Sequence, residues 1–153
     1  MNVIKYKLEL TDNLIPALVS EDTYDYSALS LDSLDAVSDL LEHCFHLKHL
    51  AEEHTIVIGL NAKLAPIAVF EVAHGKGNCC AIAPKDILTR AVMAGASNII
   101  IAHNHPSRNE MPSMEDKRTC RRMNDALRVC GIHLTDFIIV GDDIYSFAKE
   151  GHL

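Results

Sequence analysis

An uncharged, isoleucine-rich run, Asn98 to Ala102, leads directly into His103-Asn104-His105-Pro106. The run is strand length and has no polar alternation, which predicts a central strand buried on both faces. Side chains at i and i+2 of a strand point to the same side, so His103 and His105 approach one point. Pro106 stops the strand and turns the chain. Asp116 lies eleven residues past His105, one turn into a helix that Ser113 opens. A loop of that length can fold back and bring the carboxylate to the two imidazoles. Two neutral nitrogens and one carboxylate oxygen suit zinc, and three protein ligands leave a fourth position for water. That ligand count belongs to catalytic centres rather than to structural ones.

Such a centre needs a carboxylate that does not bind the metal, to act as base. Two stand upstream: Glu53, just before the β-branched run Thr55 to Leu60, and Glu71, inside the apolar run Ile67 to Val72. Spacing does not choose between them. Ser113 has two readings that are compatible. It precedes Asp116 by three, as an N-cap precedes an acid at the third helical position. Its hydroxyl, beside the metal, can also donate to a developing oxyanion. Other zinc patterns fail. Ser107 and Arg108 follow Pro106, against an H-x-H-x-D-H pattern, and neither P-C-x-x-C nor H-E-x-x-H occurs.

Along the chain, Ile4, Tyr6, Leu8 and Leu10 alternate with polar residues and predict a strand. Residues 11 to 30 are polar and read as an irregular connector, so the expected organisation is 1–28, strand and connector, and 29–153, the main domain. Leu34, Val37, Leu40, Leu41 and Cys44 fall at helical spacing after a cap at Asp32 or Ser33. The runs Thr55 to Leu60 and Ile67 to Val72 predict a hairpin around Asn61-Ala62-Lys63, and Gly75 to Asn78 a loop. Pro84 opens a helix whose expected buried stripe is Ile87, Leu88, Ala91 and Val92, with Gly95 as its stop. A helix from Ser113 to about Cys130 and two short strands, Phe137 to Val140 and Ile144 to Phe147, complete an α/β (α+β) pattern with a largely buried sheet.

The 153 residues suffice for one domain with a real core. No run approaches the ~18 apolar residues of a membrane span, and the N-terminus lacks a signal-peptide h-region, so a cytoplasmic protein is expected. The net charge of −7 argues against direct duplex DNA binding. Lys117, Arg118, Arg121 and Arg122, interrupted by acids, read as a solvated helix face. The five cysteines, Cys44, Cys79, Cys80, Cys120 and Cys130, are odd in number and form no C-x-x-C, so they read as small buried thiols. His43, His46 and His49 read as surface histidines; His74 borders the expected cleft, and His133 is isolated.

Taken together, H-N-H-P-S followed by P-S-x-x-D resembles the JAMM motif as it occurs in RadC-like JAB-domain proteins. The resemblance covers roughly residues 29 to 153. It includes AEEHTIVIGLNAK, FEVAHG, APKDILTRAVMAGASNIII and GIHLTDFIIVGDDIYSF. It implies a central mixed sheet flanked by helices, of JAMM/cytidine-deaminase-like type. It implies a zinc-dependent hydrolase of peptide, isopeptide or other amide bonds, with Zn2+ on His103, His105 and Asp116. Its register ranks Glu53 first as general base and Glu71 second, and matches Ser113 to the oxyanion-stabilising serine. The alternative it carries is a non-catalytic or DNA-repair-associated binding module. A peptide or amide substrate is the expected partner, no membrane is expected, and self-association as a homodimer is left open. Three departures bear on substrate choice: Arg108 where the family has Gly, Thr135-Asp136-Phe137 where it has L-D-H, and Ala83-Pro84-Lys85-Asp86 in place of an H-P-R-E-like segment. The helical N-terminal domain of full-length members is expected to have no room here.

Overall fold

The computed structural model describes residues 2–27, 29–75 and 82–153. Its strands are β1 (Asn2–Leu10), β2 (Pro16–Asp25), β3 (Glu53–Leu60), β4 (Pro66–Gly75), β5 (Asn98–Asn104), β6 (His133–Val140) and β7 (Ile144–Ser146). Its α-helices, among the described residues, are α1 (Leu34–Phe45), α2 (Pro84–Ala94) and α3 (Met114–Val129). All seven strands form one mixed sheet in the order β2-β1-β4-β3-β5-β6-β7. The β1/β4 and β5/β6 pairs are parallel and the others antiparallel.

Helices cover both faces, which explains why β5 reads as an unbroken apolar run. Ile99 and Ile101 join Val57, Phe70, Phe137 and Ile139 under α2 and α3. Ile100 and Ala102 join Ile56, Ile58, Val69 and Ile138 under α1. A fully buried isoleucine contributes roughly 1.5–3 kcal/mol, so alternate residues of one strand tie the sheet to opposite layers. Among the described residues no helix is long and apolar enough to cross a membrane.

Local chemistry sets the helix ends. Ser33, rather than Asp32, caps α1, its hydroxyl accepting from the Ala36 N–H at 3.2 Å. Pro84 sits in the first turn of α2, and Gly95 ends it at φ 68°. Ser113 and Asp116 form a capping box at the start of α3.

Three expectations need correction. Residues 16–25 are not an irregular connector but strand β2, paired with β1 from Asn2↔Asp25 to Leu10↔Pro16. It is a mostly exposed edge strand, so it lacks the apolar alternation that would mark it. Val92 is 65% exposed, because α2 buries Ile87 and Ala91 and leaves Val92 on its flank. Cys130 is exposed at the end of α3, whereas Cys44 and Cys120 are buried. Cys79, Cys80 and residues 76–78 of the expected loop lie outside the described residues. His43, His46 and His49 are exposed, in line with the sequence.

Candidate metal centre

Strand β5 delivers His103 on its α2/α3 side, and His105 follows one residue past the strand. The first turn of α3 returns Asp116 to the same point. His103 Nε2 lies 3.1 Å from His105 Nε2 and 3.2 Å from Asp116 Oδ1, and His105 Nε2 lies 3.5 Å from Asp116 Oδ2. Ligand bonds of about 2.0–2.2 Å in tetrahedral array place donor atoms roughly 3.3–3.6 Å apart. The three side chains therefore already stand at the spacing a tetrahedral cation needs, and together they can hold one. His103 is fully buried while the His105 side chain keeps 18% exposure, so the centre opens on the His105 side.

The two imidazoles are held differently. His105 Nδ1 lies 2.7 Å from the Asn109 carbonyl, to which it donates when Nε2 faces the centre with its lone pair. Its pKa is raised, first by the hydrogen bond with Asp116, against burial, with help from the Asn109 carbonyl and the charges of Asp116 and Glu53. His103 Nδ1 is buried without a partner among the described residues. Its ring instead packs edge-on against Phe137, at 5.6 Å. Phe137 occupies the position of the L-D-H histidine noted above.

Asp116 serves two structures. Its Oδ2 accepts from the Ser113 backbone N–H (2.7 Å) and from the Ser113 hydroxyl (2.6 Å), leaving Oδ1 toward His103. The Asp116 N–H in turn donates to Ser113 Oγ at 3.1 Å. Ser113 thus acts as the cap the sequence suggests. Its hydroxyl proton is directed at Asp116, at the edge of the centre.

The two glutamates fall on opposite sides of the sheet. Thr55 pairs with His103, and Glu53 lies two residues before Thr55, on the His103 side. The Glu53 charge is felt at His105. Glu71 pairs with Ile56, whose side chain belongs to the α1 layer. Its carboxylate is engaged there by Lys5 Nζ (2.9 Å) and His54 Nδ1 (2.6 Å). Burial would raise its pKa, but the hydrogen bonds and charges of Lys5 and His54 outweigh this and lower it. His74 lies with Glu71, stacked on His54 at 5.6 Å.

Two residues that position the centre were not singled out from the sequence. Asn104, between the two histidines, points to the opposite face. Its Oδ1 accepts from the His54 N–H at 2.7 Å, and its Nδ2 donates to the Glu52 carbonyl at 2.9 Å. It therefore grips the backbone on both sides of Glu53. Gly141 supports the loop behind His105: the His105 N–H bonds the Val140 carbonyl, and the Asp142 N–H bonds the Arg108 carbonyl. A Cβ at Gly141 would stand 2.5 Å from Arg108 O and 2.6 Å from Glu110 N, so only glycine fits. Arg108 itself adopts φ 63°, a left-handed conformation that favours glycine.

The profile of the RadC-like JAB domain matches residues 31–152. A UPF0758 protein of Burkholderia cenocepacia (strain HI2424) is 37% identical over 128 residues, covering 82% of this chain and 48% of that protein. A UPF0758 protein of Alkaliphilus metalliredigens (strain QYMF) is 35% identical over 120 residues, covering 78% and 51%. One of Clostridium acetobutylicum is 36% identical over 104 residues, covering 68% and 45%. The chain thus spans about half the length of the curated relatives it matches. With a histidine–histidine–aspartate cluster at the end of its central strand, the chain belongs to the RadC-like JAB domain family.

Proposed function

We propose that the chain hydrolyses amide bonds, either peptide or isopeptide, with a zinc ion on His103, His105 and Asp116. The observation that carries this reading is the trio of donor atoms 3.1–3.5 Å apart, beside a carboxylate on the same side of the sheet. Zinc bound there would polarise the scissile carbonyl and bring the pKa of a water to roughly 7. Glu53 accepts a proton from the attacking water as the new C–O bond forms. It then returns that proton to the amine as the C–N bond breaks. Ser113 turns its hydroxyl from Asp116 to the substrate oxygen, which carries the developing negative charge. Asn104 keeps Glu53 in register with the two histidines. Glu71, committed to Lys5 and His54 on the far face, takes no part.

The test pairs metal analysis with a digest of unfolded protein, scored by new amino termini. Zinc-loaded parent protein is expected to cleave. Glu53→Gln should keep its zinc and lose about 10²–10⁴-fold in rate, while Glu71→Gln stays near parental. Less than about half an equivalent of zinc in metal-replete parent protein sinks the reading, since three good ligands should fill. Equal rates for Glu53→Gln and the parent would remove Glu53 from it.

A further inference from the structure

The helix that supplies Asp116 also carries an unusual concentration of positive charge. Lys117, Arg118, Arg121 and Arg122 are exposed along α3, in a chain with 14 basic and 21 acidic residues. Arg118 lies 3.5 Å from Glu115, and Arg122 donates to the Ile82 carbonyl. Lys117 and Arg121 have no acidic partner within 4 Å among the described residues. The residues outside that description include no Asp or Glu. Spaced i and i+4, the two cations form one ridge on the helix.

The ridge stands between two concavities, and both are lined by Lys117 and Arg121. One, of about 740 Å³, has apolar surface from Pro84, Met114, Ala126 and Val129, and four cations of α3 outnumber its one carboxylate, Asp125. The other, of about 310 Å³, is lined by Cys120, Asn124, Phe147 and His152. Met114 is 66% and Val129 88% exposed, so both ends of the larger groove offer uncovered apolar surface. Lys117 directly follows Asp116 in the chain, on the exposed side of the helix that buries Asp116.

We infer that this face of α3 binds an acidic segment of a partner protein, with apolar side chains interspersed among its carboxylates. Lys117 and Arg121 meet the carboxylates, and the apolar surface of the groove takes the apolar side chains. A nucleic acid fits less well. Two of the four cations are already engaged, and Phe147, the one aromatic ring of Phe, Tyr or Trp type in the two linings, is buried and offers no stacking surface. That the acidic segment is the substrate rests on the proposed hydrolase. That it binds does not.

The experiment is therefore run on metal-stripped full chain, so that binding is read without hydrolysis. A fluorescent peptide alternating Glu and Leu is compared by anisotropy with its Gln/Leu counterpart and with a short oligothymidylate. The acidic peptide should bind about tenfold more tightly than the Gln/Leu peptide at low salt, and the gap should shrink at roughly 0.3 M salt. Lys117→Glu/Arg121→Glu should abolish the gap with an unchanged circular dichroism spectrum; the milder Lys117→Gln/Arg121→Gln should reduce it. Lys63→Glu, in the β3–β4 turn, should leave it intact. Equal affinity for the two peptides overturns the inference, as does a gap that survives both ridge variants. Oligothymidylate binding as tight as that of the acidic peptide, through the same two residues, overturns it in favour of nucleic acid.

Discussion

Two histidine–carboxylate clusters sit back to back on this sheet, and they differ in what their carboxylates already hold. On the α2/α3 face, His103, His105 and Asp116 converge from a strand, a turn and a helix. On the α1 face, His54 and His74 flank Glu71 on the neighbouring strands β3 and β4. There the carboxylate is met by Lys5 as well as by His54, and Glu21 adds a second acid to Lys5 at 3.1 Å. The lysine ammonium and the His54 ring each take one oxygen of that carboxylate. Residue type therefore does not make a metal centre. A helix start that turns one carboxylate toward two imidazoles, one oxygen to each, builds a cluster that can hold a cation.

The sharpest way to break this contrast is to remove a histidine from each side. His105→Ala should weaken zinc binding by at least two orders of magnitude, more than the roughly 10–100-fold typical of losing an outer partner. His54→Ala should leave zinc binding within about threefold of the parent, because the α1-side cluster supplies no ligand. Competition against a chromophoric chelator measures both. Equal losses would mean that the two clusters share one ion site.

Of intermediate size is the effect of crowding the ligand loop. Gly141→Ala forces a methyl against Arg108 O and Glu110 N, both backbone atoms, so the loop itself must move. Overpacking of this kind costs about 1–3 kcal/mol. Urea unfolding should show that loss, and zinc affinity should fall with it, because Asn109 in the same loop orients His105. A variant that loses stability but keeps full zinc affinity would show that the loop does not position His105.

The smallest effect belongs to Glu71. Its pKa is lowered in the folded chain by Lys5 and His54 against burial. The stability it contributes is therefore fully present above the ordinary carboxylate value of 4.5 and fades as pH falls through the lower folded value. Relative to the parent, Glu71→Gln should lose at most about 1 kcal/mol at neutral pH, with the difference closing in acid below the ordinary value. A difference that grows in acid would contradict the assignment.

The convergence of His103, His105 and Asp116 was legible in the sequence, because an apolar run, a proline stop and a serine cap leave few arrangements open. The hairpin of β3 and β4 and the helix starts at Pro84 and Ser113 were legible for the same reason: period and cap residues are local signals. Strand β2 was not, because an exposed edge strand held by its hairpin partner needs no apolar side. Asn104 and Gly141 were not legible either. Asn104 acts across the sheet on residues 52 and 54, and Gly141 on the loop around Arg108. Nothing in either local sequence records the distant backbone. Strand parity separated Glu53 from Glu71, and parity becomes visible only once the β3/β4/β5 register is fixed.

The capping box at the start of α3 has a consequence for how the ion and the chain depend on each other. Ser113 and Asp116 exchange three hydrogen bonds with no ion involved, so folding alone fixes the Asp116 rotamer. Two apolar layers, one on each side of the sheet, hold the strands on either side of it. Metal loading then resembles a key entering a finished lock more than the folding of a zinc finger, where chain and ion organise together. A chelator should strip the ion while the far-ultraviolet spectrum of the chain stays as it was.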